Sequence, residues 1–408
     1  MKLLKVTAEN LPLFNNKLEI DFFAEGRVSQ EERHELNHLF GNFYLNKTIS
    51  FTGINASGKT QILNTLSFVM YLIQAKSINT VETILFTKNN TNVLNLEIGK
   101  TAKFTIYFYT NSNGNKIHKL ETEVKWDFDQ YNQEKKYIIT SEKLYTKNIT
   151  GIRSKKQVFN FEETNFEDRM DDKKFLSLSK DVSLLNTYFN TDEFRPIYYR
   201  EQLSFTNVNL LTGIMVDIPE EFLEFLDPSI EYLKFKNIKS NKAMKIFLKF
   251  KHTDRIIELE SFMDLHKILS SGTVKGFGIL MNAYRTIHLG GYMIIDELEN
   301  HFNREIIATL IGLFLDKNIN KNGGTLIYST HYVELLEYIY RNDSIYIVRK
   351  EKGIEIEKLS NYNNRTDNKK SYLFINALLK NTAPSYNSIY NLKKRFKSPE
   401  SRKNNNEE

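Results

Sequence analysis

The chain has 408 residues, 41% of them hydrophobic, and a formal net charge of +6. This length exceeds that of a usual single domain, so we expect one large core with an insertion. The absence of cysteine excludes disulfides, thiol catalysis and cysteine-based metal sites. The chain opens without a signal-peptide pattern, and its longest apolar stretch, residues 62–75, is shorter than the roughly 20 residues of a membrane span. We therefore expect a cytoplasmic protein with no membrane segment.

A complete phosphate-loop motif lies at residues 53–60, which read Gly-Ile-Asn-Ala-Ser-Gly-Lys-Thr between an apolar run and a long helical stretch. The glycines let backbone N–H groups turn toward phosphate oxygens, and the helix N-terminus adds a favourable dipole. Lys59 is predicted to reach the β- and γ-phosphates of a nucleotide, and the Thr60 hydroxyl to bind Mg²⁺. The predicted nucleotide contacts in this loop are Gly53, Asn55, Ala56, Ser57, Gly58, Lys59 and Thr60.

The segment after the loop helix indicates a β-rich region. Residues 104–109 and 119–126 alternate in the manner of strands, and an Asn/Ser/Gly turn separates them. Residues 151–227 are more strongly charged, and we interpret them as a helical insertion without sustained heptads. Residues 232–251 alternate again and place lysines on one face, which indicates either a surface for a phosphate backbone or a plain solvated face.

A small, hydroxyl-rich turn, Leu-Ser-Ser-Gly-Thr at residues 269–273, directly precedes a helical stretch at 274–287. Backbone N–H groups at a helix N-terminus bind anions, so Ser271 and Gly272 are candidate phosphate contacts. On its own, the same pattern is also a good helix N-cap.

Residues 292–297 form an apolar run that ends in two carboxylates, which is typical of a Walker B strand. In phosphate-loop enzymes the first carboxylate holds the Mg²⁺ shared with the loop hydroxyl, so Asp296 is the candidate ligand. Glu297 is the candidate general base, because it follows directly and can reach the attacking water.

A further apolar run at residues 325–331 ends in Ser-Thr-His, and residues 306–314 supply one crossover helix before it. The carboxyl ends of parallel strands meet at one sheet edge, which predicts that His331 lies beside Asp296 and the phosphate loop. The alternative is a helix cap at Ser329 or Thr330, with His331 in the first turn.

The set of motifs resembles that of ABC-type ATPases and, more narrowly, of the RecF/SMC/OLD-like ATP-binding proteins, including the AAA proteins of bacterial abortive-infection systems. The resemblance rests on Asn55, Ser-Gly-Thr at 271–273, Asp-Glu-Leu-Glu-Asn-His at 296–301, Ser-Thr-His at 329–331, the opening residues 1–23 and the stretch 359–367.

This resemblance implies an α/β fold: an ABC-type P-loop ATPase head with a mixed central sheet, an N-terminal antiparallel β-subdomain and a helical insertion. The expected division is an N-terminal ATPase lobe at 1–150, the insertion at 151–227 and a C-terminal lobe at 228–380. A basic tail at 381–408 is expected to be disordered.

The resemblance also implies ATP and Mg²⁺ as cofactors and a homodimer, or higher homo-oligomer, that sandwiches two nucleotides. Ser271 and Gly272 of one chain would contact the phosphates bound by Lys59 of the other. Glu297 and His331 are the expected catalytic residues, with His331 sensing the γ-phosphate.

The function implied by the resemblance is a sensor and regulatory ATPase of an anti-phage or abortive-infection system that controls a separate effector protein, a toxin or nuclease. A nucleic acid is a further candidate partner that the sequence neither requires nor excludes. The alternatives are a RecF-like DNA repair ATPase that clamps DNA and, from another class, the nucleotide-binding subunit of a membrane transporter.

Overall fold

The structure is a computed structural model, and the residues that it describes are 1–80, 92–111, 114–129, 134–191, 194–202, 218–237, 244–300, 302–362, 369–375 and 384–397. The strands are β1 Lys2–Glu9, β2 Leu18–Asp21, β3 Leu36–Phe40, β4 Phe43–Asn46, β5 Thr48–Thr52, β6 Thr101–Thr110, β7 Lys116–Phe128, β8 Lys135–Asn148, β9 Phe166–Asp168, β10 Tyr199–Gln202, β11 Ile230–Asn237, β12 Met244–Phe250, β13 Ile256–Leu259, β14 Tyr292–Ile295, β15 Thr325–Thr330, β16 Ile345–Lys350 and β17 Ile354–Lys358. The α-helices are α1 Lys59–Ile73, α2 Lys155–Phe159, α3 Leu185–Asn190, α4 Glu220–Leu226, α5 Phe262–Leu265, α6 Ser271–Leu289, α7 Arg304–Leu315, α8 Lys370–Ile375 and α9 Tyr386–Lys397.

A central six-stranded sheet positions the candidate site. Its strand order is β10-β14-β15-β5-β16-β17; neighbouring strands from β10 to β16 pair in parallel, and β17 is antiparallel to β16. Strands β5, β14 and β15 are therefore neighbours whose carboxyl ends meet at one edge. Ligands bind at this edge in open α/β sheets.

Helices cover both faces of the central sheet. Ile294 and Ile327 pack on the side of α1, whereas Met293, Ile295 and Leu326 pack on the side of α6 and α7. Successive residues of a strand point to opposite faces, so a strand buried on both sides has to be apolar throughout. This explains the continuous apolar runs of β14 and β15.

A second, antiparallel six-stranded sheet has the order β2-β1-β6-β7-β8-β9 and packs on the other side of α1. Phe68 of α1 stacks on Phe104 of β6 with their ring centroids 5.3 Å apart. Helix α1 thus lies between the two sheets. The predicted α/β fold with a mixed central sheet and an antiparallel β-subdomain is confirmed.

A small antiparallel sheet, β11-β12-β13, lies against the first turns of α6. Leu233 and Ile246 face inward and pack near Val274 of that helix. On the outside, Lys249 lies 2.8 Å from Glu231, and Lys245 pairs with Glu258. The lysine-bearing face that the alternation predicts is therefore partly neutralised by glutamates.

The segment 151–227 is less helical than the sequence indicated. Its described residues form the short helices α2, α3 and α4, but β9 pairs with β8 and β10 pairs with β14. Charged residues suit an edge strand because one side faces solvent; for example, Lys143 of β8 lies 3.6 Å from Asp168 of β9. The segment thus contains the expected helices together with two strands that were not predicted, and its boundaries remain a prediction.

Within the stretch 381–408, residues 386–397 form the exposed helix α9, and the expected disorder of this end stays a prediction. The Ser385 hydroxyl accepts a hydrogen bond from the Ser388 backbone N–H at 3.1 Å, so the helix has an N-cap that we did not identify. Residues 398–408 lie outside the described part, as do His301 and residues 363–367 of the motifs quoted above. No helix among the described residues is long and apolar enough to cross a membrane.

Candidate nucleotide-binding site

The phosphate loop connects β5 to α1 and has a conformation that requires its two glycines. A side-chain carbon on Gly53 would lie 2.3 Å from the Val348 carbonyl oxygen, so any larger residue would displace backbone. Gly58 has φ +104°, in the left-handed region, and a side-chain carbon there would meet Ile354 at 2.5 Å. Ala56 also has positive φ, 62°. The loop backbone is thus held in a tight turn at the start of α1, where its N–H groups favour an anion.

Lys59, the first residue of α1, is buried and points back into this turn. Its Nζ donates to the carbonyl oxygens of Gly53 at 2.9 Å and Ile54 at 3.0 Å, and it lies 3.1 Å from His331 Nδ1. Burial lowers the pKa of this amine to about 8, although three carboxylates of the same cleft, Asp296 first among them, favour its charged form. The lysine is a cation held where phosphates would bind.

Thr60 and Asp296 meet across the strand ends as predicted for a shared cation. The Thr60 hydroxyl donates to Asp296 Oδ2 at 2.6 Å, and the Ser329 hydroxyl donates to the other carboxylate oxygen. A hydroxyl and one carboxylate are hard oxygen ligands that suit Mg²⁺, which takes its remaining ligands from phosphates and water. Among the described residues, no group of three or more His, Cys, Asp or Glu side chains is placed to hold a metal ion. The residues fit the ion.

Glu297 directly follows Asp296 and has a strained backbone conformation. Its side chain lines the cleft. Its φ is +48°, which is uncommon for a residue with a side chain and costs on the order of 1–3 kcal/mol. The Ser329 hydroxyl accepts from the Glu297 backbone N–H at 2.7 Å and helps to hold this conformation. The carboxylate oxygen lies 3.5 Å from His331 Nε2. Glu297 is therefore beside the predicted position of the γ-phosphate.

His331 directly follows β15 and joins the phosphate loop to the carboxylates. Its Nδ1 lies 3.2 Å from the Gly53 carbonyl oxygen, and its backbone N–H donates to Glu299 Oε1 at 2.6 Å. The helix-cap alternative does not fit, because the next helical turn, Val333–Tyr338, begins after Tyr332 without a side-chain cap. The structure brings His331, Lys59 and Glu297 together.

We call the space between these residues the phosphate cleft; its volume is about 760 Å³. Asn55, Ala56, Gly58, Lys59 and Thr60 line it, whereas Ser57 is buried beneath the loop. The sequence analysis did not predict the wall of the cleft that faces the phosphate loop, which we call the opposite wall. The cleft residues that we did not predict are Leu13, Gln61, Glu299, Asn300, Tyr332, Lys350 and Ile354.

The turn at residues 269–273, which we call the signature end, forms the start of α6. The Ser270 hydroxyl caps the helix by accepting from the Thr273 backbone N–H at 3.0 Å. Ser271 and Gly272 do not line the phosphate cleft of their own chain. Four of the predicted nucleotide contacts are therefore not lining residues of the cleft: Gly53 and Ser57, which belong to the loop itself, and Ser271 and Gly272, which lie at the start of another helix.

Gln202 is the last residue of β10 and pairs with Ile295, directly before Asp296. We also did not predict the buried residue Lys275 of α6, whose amine donates to the Asn300 carbonyl oxygen. A lysine inside an otherwise apolar helix stretch was the available signal.

The parallel sheet, the phosphate loop and the paired acids at the end of β14 define a P-loop ATPase domain. Comparison with protein families supports this class: the family described as "AAA domain, putative AbiEii toxin, Type IV TA system" matches residues 49–337, more than two thirds of the chain. The protein belongs to this family. No curated protein matches the chain.

Proposed function

We propose that the protein is a Mg²⁺-dependent ATP hydrolase that acts as the sensor and regulatory subunit of a bacterial abortive-infection or anti-phage system. Nucleotide-dependent dimerisation would control a separate effector protein in the cytoplasm. The observation that carries the catalytic part is the convergence of Lys59, Thr60, Asp296, Glu297 and His331 on one cleft.

The geometry supports a definite role for each side chain. Lys59 would exchange its loop carbonyls for phosphate oxygens, which gain more from an ammonium than neutral carbonyls do. Glu297 would accept a proton from the attacking water, and His331, 3.5 Å away, would donate to the γ-phosphate. A Mg²⁺ ion held by Thr60 and Asp296 would supply charge neutralisation of the phosphates.

Dimerisation is proposed from the place of the signature end. Ser271 and Gly272 have backbone N–H groups at a capped helix N-terminus, but they lie outside the cleft of their own chain. A two-fold dimer would place them against the nucleotide of the second copy and complete two identical sites. This arrangement agrees with the ABC-type and RecF/SMC/OLD-like resemblance.

The regulatory role rests on the family description, which names a type IV toxin–antitoxin system. A toxin–antitoxin context implies a partner protein whose activity is restrained or released. We therefore propose a toxin or nuclease as the effector. The DNA-clamp alternative receives less support, because glutamates neutralise Lys245 and Lys249 on the lysine-bearing sheet face.

The proposal is tested by ATP turnover and mass in solution for wild type, Lys59→Ala and Glu297→Gln, each with and without ATP and Mg²⁺. We expect Lys59→Ala to lose ATP binding. Glu297→Gln should bind ATP, lose about 100-fold or more in turnover and accumulate as a dimer. The exposed-site variants Lys321→Ala and Glu305→Gln serve as matched controls. Wild-type turnover in Glu297→Gln would contradict the assignment of the base.

The effector part needs its own test. The trapped Glu297→Gln dimer is used as bait beside Lys59→Ala, each co-expressed with the genes that neighbour its own. Selective, ATP-dependent retention of a neighbour-encoded toxin or nuclease is the expected result. Retention of no such protein, with the dimer itself confirmed, would reject effector control while leaving the ATPase in place.

A further inference from the structure

Lys275 is a fully buried lysine, with 0% of its surface exposed, in the first turns of α6. Lysine is rarely buried to this extent without a partner, because an ammonium loses its hydration. Burial lowers the pKa of its amine to about 8, and the nearby carboxylates of Glu297, Glu299 and Asp296 oppose that change. A neutral side chain of the same length would avoid this cost, so the contacts of the amine need an explanation.

The amine contacts the loop that follows the catalytic acids. Its Nζ donates to the backbone carbonyl oxygen of Asn300 at 2.7 Å and lies 5.4 Å from the ring centroid of Phe302. Asn300 itself lines the phosphate cleft. One side chain thus connects the signature helix to the wall of the cleft.

This contact holds the backbone of the loop beyond Glu299, whose side chain accepts from the His331 backbone N–H. The loop's first residues are tied to β15, since Ser329 accepts from the backbone of Glu297 and Leu298. Among the described residues, the backbone N–H groups of Asn300 and Phe302 bond only within the loop, to Glu297 and Glu299. Lys275 therefore supplies a long-range hydrogen bond where the loop leaves the sheet.

We propose that Lys275 is a positioning residue that couples the signature end of α6 to the catalytic acids of the same chain. The inference rests on the proposed dimer. When the signature end engages the nucleotide of a second copy, the helix and the loop move together through the Lys275–Asn300 contact. Engagement of the signature end would then hold Glu297 in its position beside His331, which links hydrolysis to dimer closure.

The decisive variant is Lys275→Met, which keeps a long unbranched side chain and removes the amine. We expect kcat to fall about tenfold or more, because a small displacement of a catalytic group has a large effect on rate. The KM for ATP and the affinity of the monomer for ATP should change less than about twofold, because Lys275 itself does not line the phosphate cleft and contacts only a backbone carbonyl of its wall.

Lys47 offers a matched control within the chain. It is also buried, its pKa is also lowered to about 8 by burial, and its Nζ donates to the carbonyl oxygens of His34 and Leu315 at 2.7 and 3.0 Å. It precedes β5, at the end of the sheet away from the cleft. Lys47→Met should lower the thermal midpoint of unfolding and leave kcat per folded molecule within about twofold of wild type.

Turnover is expressed per ATP-binding site, so that loss of folded protein does not count as loss of rate. If Lys275→Met fails to fold, Phe302→Leu replaces it; removing the ring under the ammonium should lower kcat about threefold at unchanged KM. Unchanged kcat in the variant that folds, or equal kcat losses in Lys275→Met and Lys47→Met, would overturn the coupling role. Wild-type protein that neither dimerises nor hydrolyses ATP would instead reject the proposed function.

Discussion

The phosphate cleft and the signature end both lie at helix N-termini, but they differ in their side chains. The cleft contains charged side chains, whereas the signature end consists of small residues. At α1 the helix start meets Lys59, Thr60 and two acids, all within hydrogen-bond or ion-pair distance of a neighbour. At α6 the helix start presents backbone N–H groups and small hydroxyls around Gly272. The difference teaches that the charged groups of the proposed nucleotide site all come from one chain, whereas the signature end lies outside that cleft, which is why we propose that it acts on the nucleotide of a second copy.

The largest expected effect concerns the acid that makes the cleft complete. Asp296→Asn keeps the shape of the side chain and one of the two oxygens that accept from Thr60 and Ser329. It removes the negative charge that would hold Mg²⁺. We expect Mg²⁺-dependent turnover to fall about 1000-fold, since metal-assisted charge stabilisation is lost. ATP turnover with titrated Mg²⁺ measures the loss, and Asp171→Asn at an exposed position is the control. Turnover within about threefold of wild type would remove Asp296 from the metal site.

A smaller loss is expected from a change in the loop backbone. Gly53→Ala tests whether the tight turn, and not only the charged side chains, is needed for ATP binding. Gly53→Ala introduces a carbon 2.3 Å from the Val348 carbonyl oxygen, so the loop has to shift. Overpacking of this kind costs about 1–3 kcal/mol, which corresponds to about a 5- to 150-fold loss of ATP affinity. Calorimetric titration measures the affinity. The control is Gly312→Ala, where the added carbon meets nothing within 4 Å; equal affinities in both variants would contradict the tight turn.

The smallest effect is a pH dependence of ATP affinity. In the free protein burial lowers the pKa of Lys59 to about 8, and bound phosphates would raise it. Binding is then favoured by the protonated lysine: affinity is constant well below pH 8 and falls as pH rises, by up to about tenfold per pH unit.

Affinity measured from pH 6.5 to 9.5 tests this, with Lys59→Arg as a variant that stays charged throughout. A flat wild-type profile, or the same profile in Lys59→Arg, would mean that Lys59 does not titrate in this range.

The cleft was largely predictable because its motifs obey strong local rules. An apolar strand, a glycine-rich turn and a helix permit few structures, and the acids after β14 and His331 after β15 follow from the meeting of parallel strand ends. The proposed roles of Ser271 and Gly272 require a second copy, so the geometry of one chain does not test them.

The errors have a common physical origin, which is that charged residues are ambiguous in sequence. Phe166–Asp168 belongs to a charged stretch that suits a surface helix as well as an edge strand, and pairing with β8 decides the outcome. A lysine in a helix is usually solvated, so its residue type alone predicts that Lys275 is exposed. The packing of α6 in the folded chain buries it. The opposite wall, with Lys350 and Ile354, comes from a hairpin distant in sequence from the loop that it faces.

The central claim, that a complete site needs two copies, is tested most directly by mixing two variants. Lys59→Ala disables the phosphate cleft. Gly272→Asp places a negative charge at the signature end, where it would repel a nucleotide, while an acidic residue in the first turn suits the helix itself. Each variant alone should hydrolyse almost no ATP.

In an equal mixture about half of the dimers are mixed, and each mixed dimer has one intact site out of two. The account predicts recovery of about a quarter of wild-type turnover. No recovery on mixing, with mixed dimers shown by mass, or full turnover by Gly272→Asp alone would contradict it.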